Sequence, residues 1–215
     1  ETFVTDADLK YMGYVLLIGD ANGDGVDDIF TASTSADGGF LIPGPLEGTL
    51  DMDTVGTKHV GVGGVSGAGR SIGFGDVDGD GLEDIGFGAP YSFDAGMFVI
   101  YGPADVDSDI GQDYGAYLRV DYGLYGGHGG DIGDVTGDGI ADMVVGAYRA
   151  NEGGGDGSGA GYVKFGPIVG EYAADESDAI LSGESANAYT GRWAEVGGDH
   201  DGDGSGDILI AAPYA

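Results

Sequence analysis

Asp20, Asn22, Asp24 and Asp28 occupy positions 1, 3, 5 and 9 of a nine-residue segment, Asp-Ala-Asn-Gly-Asp-Gly-Val-Asp-Asp, that returns three more times along the chain. The later copies place Asp76, Asp78, Asp80 and Asp84, then Asp134, Thr136, Asp138 and Asp142, then Asp199, Asp201, Asp203 and Asp207 in the same frame. Side-chain oxygens at this spacing converge on one point only if the chain curls tightly, and Gly at positions 4 and 6 permits the curl. Such a cage of hard oxygens suits Ca²⁺, which takes roughly 6–8 oxygen ligands at about 2.3–2.6 Å. The side chains, a backbone carbonyl at position 7 and water would complete it. Mg²⁺ demands a stricter octahedron and keeps more water. Transition metals lack their preferred Cys or His ligands, since His200 stands at the non-liganding position 2. Four Ca²⁺ sites are therefore expected. The second and fourth loops carry four acids each and are expected to bind most tightly, because Asn22 and Thr136 replace a carboxylate in the first and third.

Two other acidic, glycine-rich loops are excluded by position. An EF-hand needs a bidentate acid at position 12, where this chain has Thr31, Phe87, Val145 and Ile210. The closing acid stands at position 9 instead, directly before an apolar run, so the helix-flanked EF-hand and dockerin readings fail together. Calcium-binding β-rolls, suggested by the run Gly-Gly-His-Gly-Gly-Asp131, need tandem nine-residue units that are absent here.

The loops recur 56, 58 and 65 residues apart, and the glycine-rich insert from Gly153 to Gly161 accounts for the longest interval. Each complete unit also carries a Gly-Pro pair: Gly44-Pro45, Gly102-Pro103 and Gly166-Pro167. A strand-length apolar run ends at each pair, as in Met97 to Tyr101. Another follows each loop, as in Met143 to Val145; a third precedes it, clearest at Tyr14 to Ile18; a fourth precedes the next unit, as in Tyr117 to Val120. No segment keeps helical periodicity over three turns. The expected fold is all-β, in blades of four antiparallel strands of the β-propeller kind. The expected division is 1–10 as the last strand of a preceding blade, 11–66, 67–124 and 125–188 as three blades, and 189–215 as the first half of a fourth. A ring left incomplete in this way points to a fragment, or to completion by partner copies.

The four loops, the runs Gly88-Ala-Pro90, Gly146-Ala-Tyr148 and Ala211-Ala-Pro213 behind them, and the Gly-Pro pairs together resemble the FG-GAP repeats of integrin α-subunit propellers and bacterial surface proteins. The resemblance covers nearly the whole chain. It implies that each repeat is a blade, that each loop joins the blade's first two strands, and that the carbonyls of Val26, Leu82, Ile140 and Ser205 are Ca²⁺ ligands. The Phe-Gly opening is degraded to Met12-Gly13, Ala68-Gly69, Gly126-Gly127 and Thr190-Gly191, so blade packing near the first strand is expected to differ.

Composition narrows the function. With 38 Asp and Glu against 7 Lys and Arg, the net charge of −31 repels nucleic acid and anionic membranes, and four Ca²⁺ would bring it only to −23. Cys is absent, so bound metal must replace disulfides as the cross-link of an extracellular protein. No apolar run is long enough to span a bilayer. No basic-then-apolar start is present, and the chain reads as a processed or excised piece. Serines sit outside any Gly-x-Ser-x-Gly frame, and paired acids such as Asp27-Asp28 belong to the loops, so no enzyme is expected. His59, His128 and His200 read as loop or solvated residues, and Trp193 as core packing. The first expectation is an extracellular module for adhesion, surface display or protein interaction, with Ca²⁺ rigidifying the blade loops. A protein or glycan ligand would bind the loop face, or the protein would self-assemble, with no nucleic acid and no direct membrane insertion. The alternatives are a carbohydrate-binding or enzyme-accessory propeller and a structural subunit of a surface filament or sheath.

Overall fold

Apolar runs separated by Gly- and Asp-rich turns become strands. The computed structural model describes residues 2–4, 13–34, 37–61, 64–121 and 123–215, and among these it is all-β apart from one four-residue helix and one 3-10 turn. Met12 of the first degraded Phe-Gly opening lies outside the described residues. After β1 (Thr2–Val4), a first antiparallel meander runs through β2 (Val15–Gly19), β3 (Asp28–Ser33), β4 (Gly38–Ile42) and, past β5 (Thr49–Asp51) and helix α1 (Met52–Val55), β6 (Thr57–Val60). A second uses β7 (Ile72–Gly75), β8 (Asp84–Gly88), β9 (Ala95–Ile100) and, past β10 (Ser108–Asp109), β11 (Ala116–Val120). A third uses β12 (Gly126–Gly133), β13 (Asp142–Ala147), β14 (Ala160–Lys164) and, past β15 (Gly170–Ala173), β16 (Ala179–Ser182). The hairpin of β17 (Trp193–Val196) and β18 (Ile208–Ala211) follows.

Four antiparallel strands describe each meander but not each sheet. The first two sheets gain a fifth strand, in the orders β10-β6-β4-β3-β2 and β15-β11-β9-β8-β7. The added strand comes from the next unit and runs parallel to the fourth strand of the preceding one: Ser108 pairs with His59, and Ala116 with Gly170. β1 and β5 pair in parallel in the same manner, Thr2 with Thr49. The sequence does not mark these segments because they are short and mostly polar, and their partner strand belongs to the preceding unit.

The sheets pack face to face, with an apolar layer at each junction. Phe30 and Leu41 of the first sheet meet Ile85, Phe87 and Phe98 of the second. Met97, Val99 and Leu118 of the second meet Ile132, Met143 and Tyr162 of the third, and Val144 and Val163 meet Ala194 and Ile210. Strands β9 and β13 are buried at every residue, which explains why the runs Met97 to Ile100 and Met143 to Val145 within them are continuously apolar rather than alternating. First strands lie side by side in the series β2, β7, β12, β17. Glycine makes this approach possible: a Cβ on Gly73 would come within 2.5 Å of the Ile132 nitrogen, and one on Gly129 within 2.6 Å of the Ala194 nitrogen.

Two of the three histidines depart from the expectation of solvated side chains. His59 is fully buried against Phe30 and Phe87. The Thr57 hydroxyl donates to the Ala104 carbonyl, so its oxygen is left to accept from His59 Nε2–H at 3.2 Å, while the Ser108 hydroxyl donates to Nδ1 at 2.8 Å. Burial lowers the pKa of this imidazole to about 4, against the opposing field of Asp107. The folded value lies below the unfolded one, so the contribution is intact above about pH 6.5 and is lost as pH falls towards 4, by up to about 3 kcal/mol. Urea titrations from pH 7 to pH 4.5 are expected to show the native chain losing stability relative to His59→Gln. Parallel curves for the two proteins would contradict this.

Candidate metal centres

Each repeated loop joins the first strand of a sheet to the second, at the same end of every unit. Positions 4 and 6 are left-handed throughout, for example Gly79 at φ 83° and Gly81 at φ 93°. This wraps the chain around the carboxylate of position 1. Asp76 accepts amide N–H groups from Gly79 at 2.7 Å, Asp80 at 3.1 Å and Gly81 at 2.8 Å. Asp134 and Asp199 repeat the set with their own Gly, Asp and Gly, and Asp20 accepts from Asp24 and Gly25. These amides, chiefly that of Gly204, hold the Asp199 carboxyl below its ordinary pKa.

Position 5 forms a tight turn of its own, in which Asp24, Asp80, Asp138 and Asp203 accept the N–H of Val26, Leu82, Ile140 and Ser205 at 2.8–2.9 Å. Position 9 does more than close the loop. Asp28, Asp84 and Asp142 are fully buried, and their Oδ1 atoms accept the amides of Gly44, Gly102 and Gly166 at 3.0, 2.9 and 2.8 Å. Their Oδ2 atoms accept amides from position 2 or 3 of their own loops, as does Asp207 from His200. The Gly-Pro pairs, read from sequence as strand ends, thus anchor the third strand to the loop carboxylate.

In the second and fourth loops three acids converge. Oxygens of Asp76, Asp78 and Asp84 lie within 4.8 Å of one another, as do those of Asp199, Asp201 and Asp207. The position-5 acids Asp80 and Asp203 stand outside these groups. In the first loop Asn22 Nδ2 donates to Asp28 at 3.2 Å and to Asp24 at 3.4 Å, and in the third the Thr136 hydroxyl donates to Asp134 at 3.3 Å. A neutral donor there offsets the repulsion that a third carboxylate would add. Burial, reinforced by the charges of Asp78 and Asp76, pushes the Asp84 carboxyl up to about 6. Gathering acids against their own ionisation is costly unless a cation joins them, and an all-oxygen set backed by amide donors fits Ca²⁺.

Successive loops also touch. A Cβ on Gly23 would lie 3.1 Å from Leu82 Cδ2, and one on Gly79 would lie 3.5 Å from Ile140 Cδ1. Backbone bonds reinforce the stack, with Ala141 N–H donating to Asp76 O and Gly206 N–H to Asp134 O, each at 2.8 Å. Glu83, at position 8 of the second loop, was not foreseen as part of a site. Its carboxyl accepts the Asp20 amide beside the first loop, and its Oε2 is buried without a partner. The repeat gives no consistent signal at that place, which is held by Asp27, Ala141 and Gly206 in the other loops.

No family model matches the chain. Integrin alpha-PS2 of Drosophila melanogaster is 28% identical over 229 residues, covering 95% of this chain and 15% of that protein. Integrin alpha-V of Gallus gallus is 30% identical over 150 residues, covering 68% of this chain and 14% of that protein. Phosphatidylinositol-glycan-specific phospholipase D of Rattus norvegicus is 31% identical over 152 residues, covering 65% of this chain and 18% of that protein. The chain therefore spans less than a fifth of each of these relatives. Four in-frame acidic loops, each between the first two strands of a sheet, together with these alignments, make the chain a distant homologue of the integrin α subunits and a member of the FG-GAP repeat proteins.

Proposed function

We propose that the sheets are blades of a β-propeller and that the chain is an extracellular calcium-binding module for adhesion, surface display or protein interaction. The carrying observation is the convergence of Asp76, Asp78 and Asp84, and of Asp199, Asp201 and Asp207, in loops that repeat in frame. In this reading Ca²⁺ is held by the acids of positions 1, 3 and 9, with position 5 and the position-7 carbonyls completing the shell on binding. The ion supplies charge neutralisation and cross-linking in a chain of net charge −31 that has no Cys. The protein's own groups supply orientation: amides of positions 4 to 6 aim the first carboxylate, and the Gly-Pro amide fixes the ninth. Loops that stack on one another hold the blades in register, leaving the opposite strand ends to meet a partner. The chemistry is that of binding rather than catalysis, and self-repulsion directs it away from nucleic acid and anionic bilayers.

Calorimetric titration of the metal-free protein tests this reading. The second and fourth loops are expected to fill at calcium concentrations at least about tenfold below the first and third, since ligand charge tunes affinity. Four equal sites, or heat unaltered by Asp78→Ala and Asp201→Ala together, would sink it.

A carbohydrate-binding reading is favoured by one observation. Trp193, expected in the core, is 49% exposed at the head of β17, among other exposed aromatics.

A further inference from the structure

The chain has 38 acids and four arginines, and three of those arginines, Arg70, Arg149 and Arg192, stand over aromatic rings at one end of the strands. Among the described residues no carboxylate lies within 4.0 Å of Arg70, Arg149 or Arg192, although Lys164 pairs with Asp178 at 3.0 Å. Each guanidinium lies over aromatic rings instead. Arg149 is 5.6 Å from the centre of Tyr125 and 5.9 Å from that of Tyr189, and Arg192 is 5.4 Å from Tyr148 and 5.3 Å from Trp193. Arg70 lies 4.8 Å over Tyr14 and donates to His128 Nε2. The Nε of Arg192 is buried without a partner. The rings adjoin one another, Tyr125 stacking on Tyr148 at 4.9 Å and Tyr148 meeting Tyr189 edge-on at 5.7 Å, so the cations form one band. This band lies at the end opposite the acidic loops, where first strands begin and second strands finish.

The backbone is bent to build it. Tyr125 and Tyr189, the two rings beneath Arg149, are left-handed at φ 58° and 57°, a conformation that bulky residues rarely adopt. In the second unit Gly67 holds the equivalent place at φ 75°, so glycine suffices where no ring is needed. The insert peculiar to the third unit braces the same segment: Tyr189 N–H donates to Gly157 O at 3.1 Å and Asn187 N–H to Asp156 O at 2.9 Å.

We propose that this band binds chains of uronic acids. Rings cover the guanidinium faces, so the N–H edges are the donors that remain, exposed to solvent in Arg149 and partly buried in Arg192; such an edge is a fork that matches a planar carboxylate. The half-exposed faces of Trp193 and Tyr91 suit the apolar faces of sugar rings. An acidic peptide would instead draw main-chain hydrogen bonds from a free strand edge, and the band is made of strand ends. Asp131 and Glu195 lie in the cleft with Arg70, so Arg149 and Arg192 carry the binding. The proposal rests on the propeller reading for the placement of these strand ends, and not on any one calcium site.

The test is calorimetry of the calcium-saturated protein against oligoglucuronate, with neutral dextran, dextran sulfate and polyglutamate as comparison ligands. Oligoglucuronate is expected to bind in preference to all three, and Arg149→Gln and Arg192→Gln each to weaken it about tenfold or more, with calcium titration and melting midpoint unchanged. Should Arg192→Gln lower the melting midpoint, the exposed Arg149→Gln decides alone. Equal binding of polyglutamate would assign the band to an acidic protein, and equal binding of dextran sulfate to anions in general. Either result, or full affinity in Arg149→Gln, overturns the proposal. Loss of the calcium heats with oligoglucuronate binding intact would instead count against the metal reading.

Discussion

Excess chelator is expected to lower the thermal midpoint of the calcium-equilibrated protein by about 10–20 °C. A native-only ligand at a hundredfold its Kd stabilises by about 2.7 kcal/mol per site, so the two triad loops together contribute about 5 kcal/mol. A chain of this size moves by roughly 2–4 °C per kcal/mol. Chelation also leaves three carboxylates within 4.8 Å of one another in each of those loops, with net charge −31 to aggravate the repulsion. Differential scanning calorimetry with and without chelator measures the shift, and added NaCl separates general screening from site binding. An unchanged midpoint, or full restoration by NaCl alone, would remove the basis for calling these loops metal sites.

Asp84→Ala is expected to destabilise the protein by about 3–5 kcal/mol even in chelator, whereas Asp78→Ala costs stability only when calcium is present. The difference follows from burial. Asp84 is fully buried and accepts the Gly102 and Val77 amides, two donors that alanine would leave unpaired beneath the loop. Asp78 is half-buried and accepts the Asp80 amide, which water can replace. In chelator, removing Asp78 also relieves repulsion, so that variant should match or slightly exceed the parent there. Denaturant titrations of both variants, with and without calcium, give the four values needed. If Asp84→Ala matched Asp78→Ala in chelator, the ninth carboxylate would be a ligand only and not the clasp that holds the third strand to the loop.

Much of this arrangement was legible along the chain, because it is local. A carboxylate, two glycines and a second carboxylate within nine residues can curl in few ways, and runs such as Met143 to Val145 declare strands buried on both faces. The double use of Asp84 was not legible, since its second partner, Gly102, is 18 residues away and a glycine amide leaves no mark in composition. The parallel strands β5, β10 and β15 escaped for a related reason: polar segments become strands only when a preceding sheet offers an edge. Trp193 occupies a strand as its neighbours implied, but a strand's position says nothing of what stands opposite it, and here the ring faces outward beside Arg192. His59 reversed its expected setting because Ser108 and Thr57 close around it from two different units.

Residue order alone settles the repeat, the all-β character and the oxygen chemistry of the loops, for these depend on neighbours within about ten positions and on the curl that glycine permits. Folding adds what depends on distance. It selects which three of the four acids meet, turns the Gly-Pro amide into an anchor, and gathers three scattered arginines onto one aromatic band. Packing forces were free to make these choices because contacts between sheets join residues about fifty or more positions apart, where sequence spacing carries no geometric constraint.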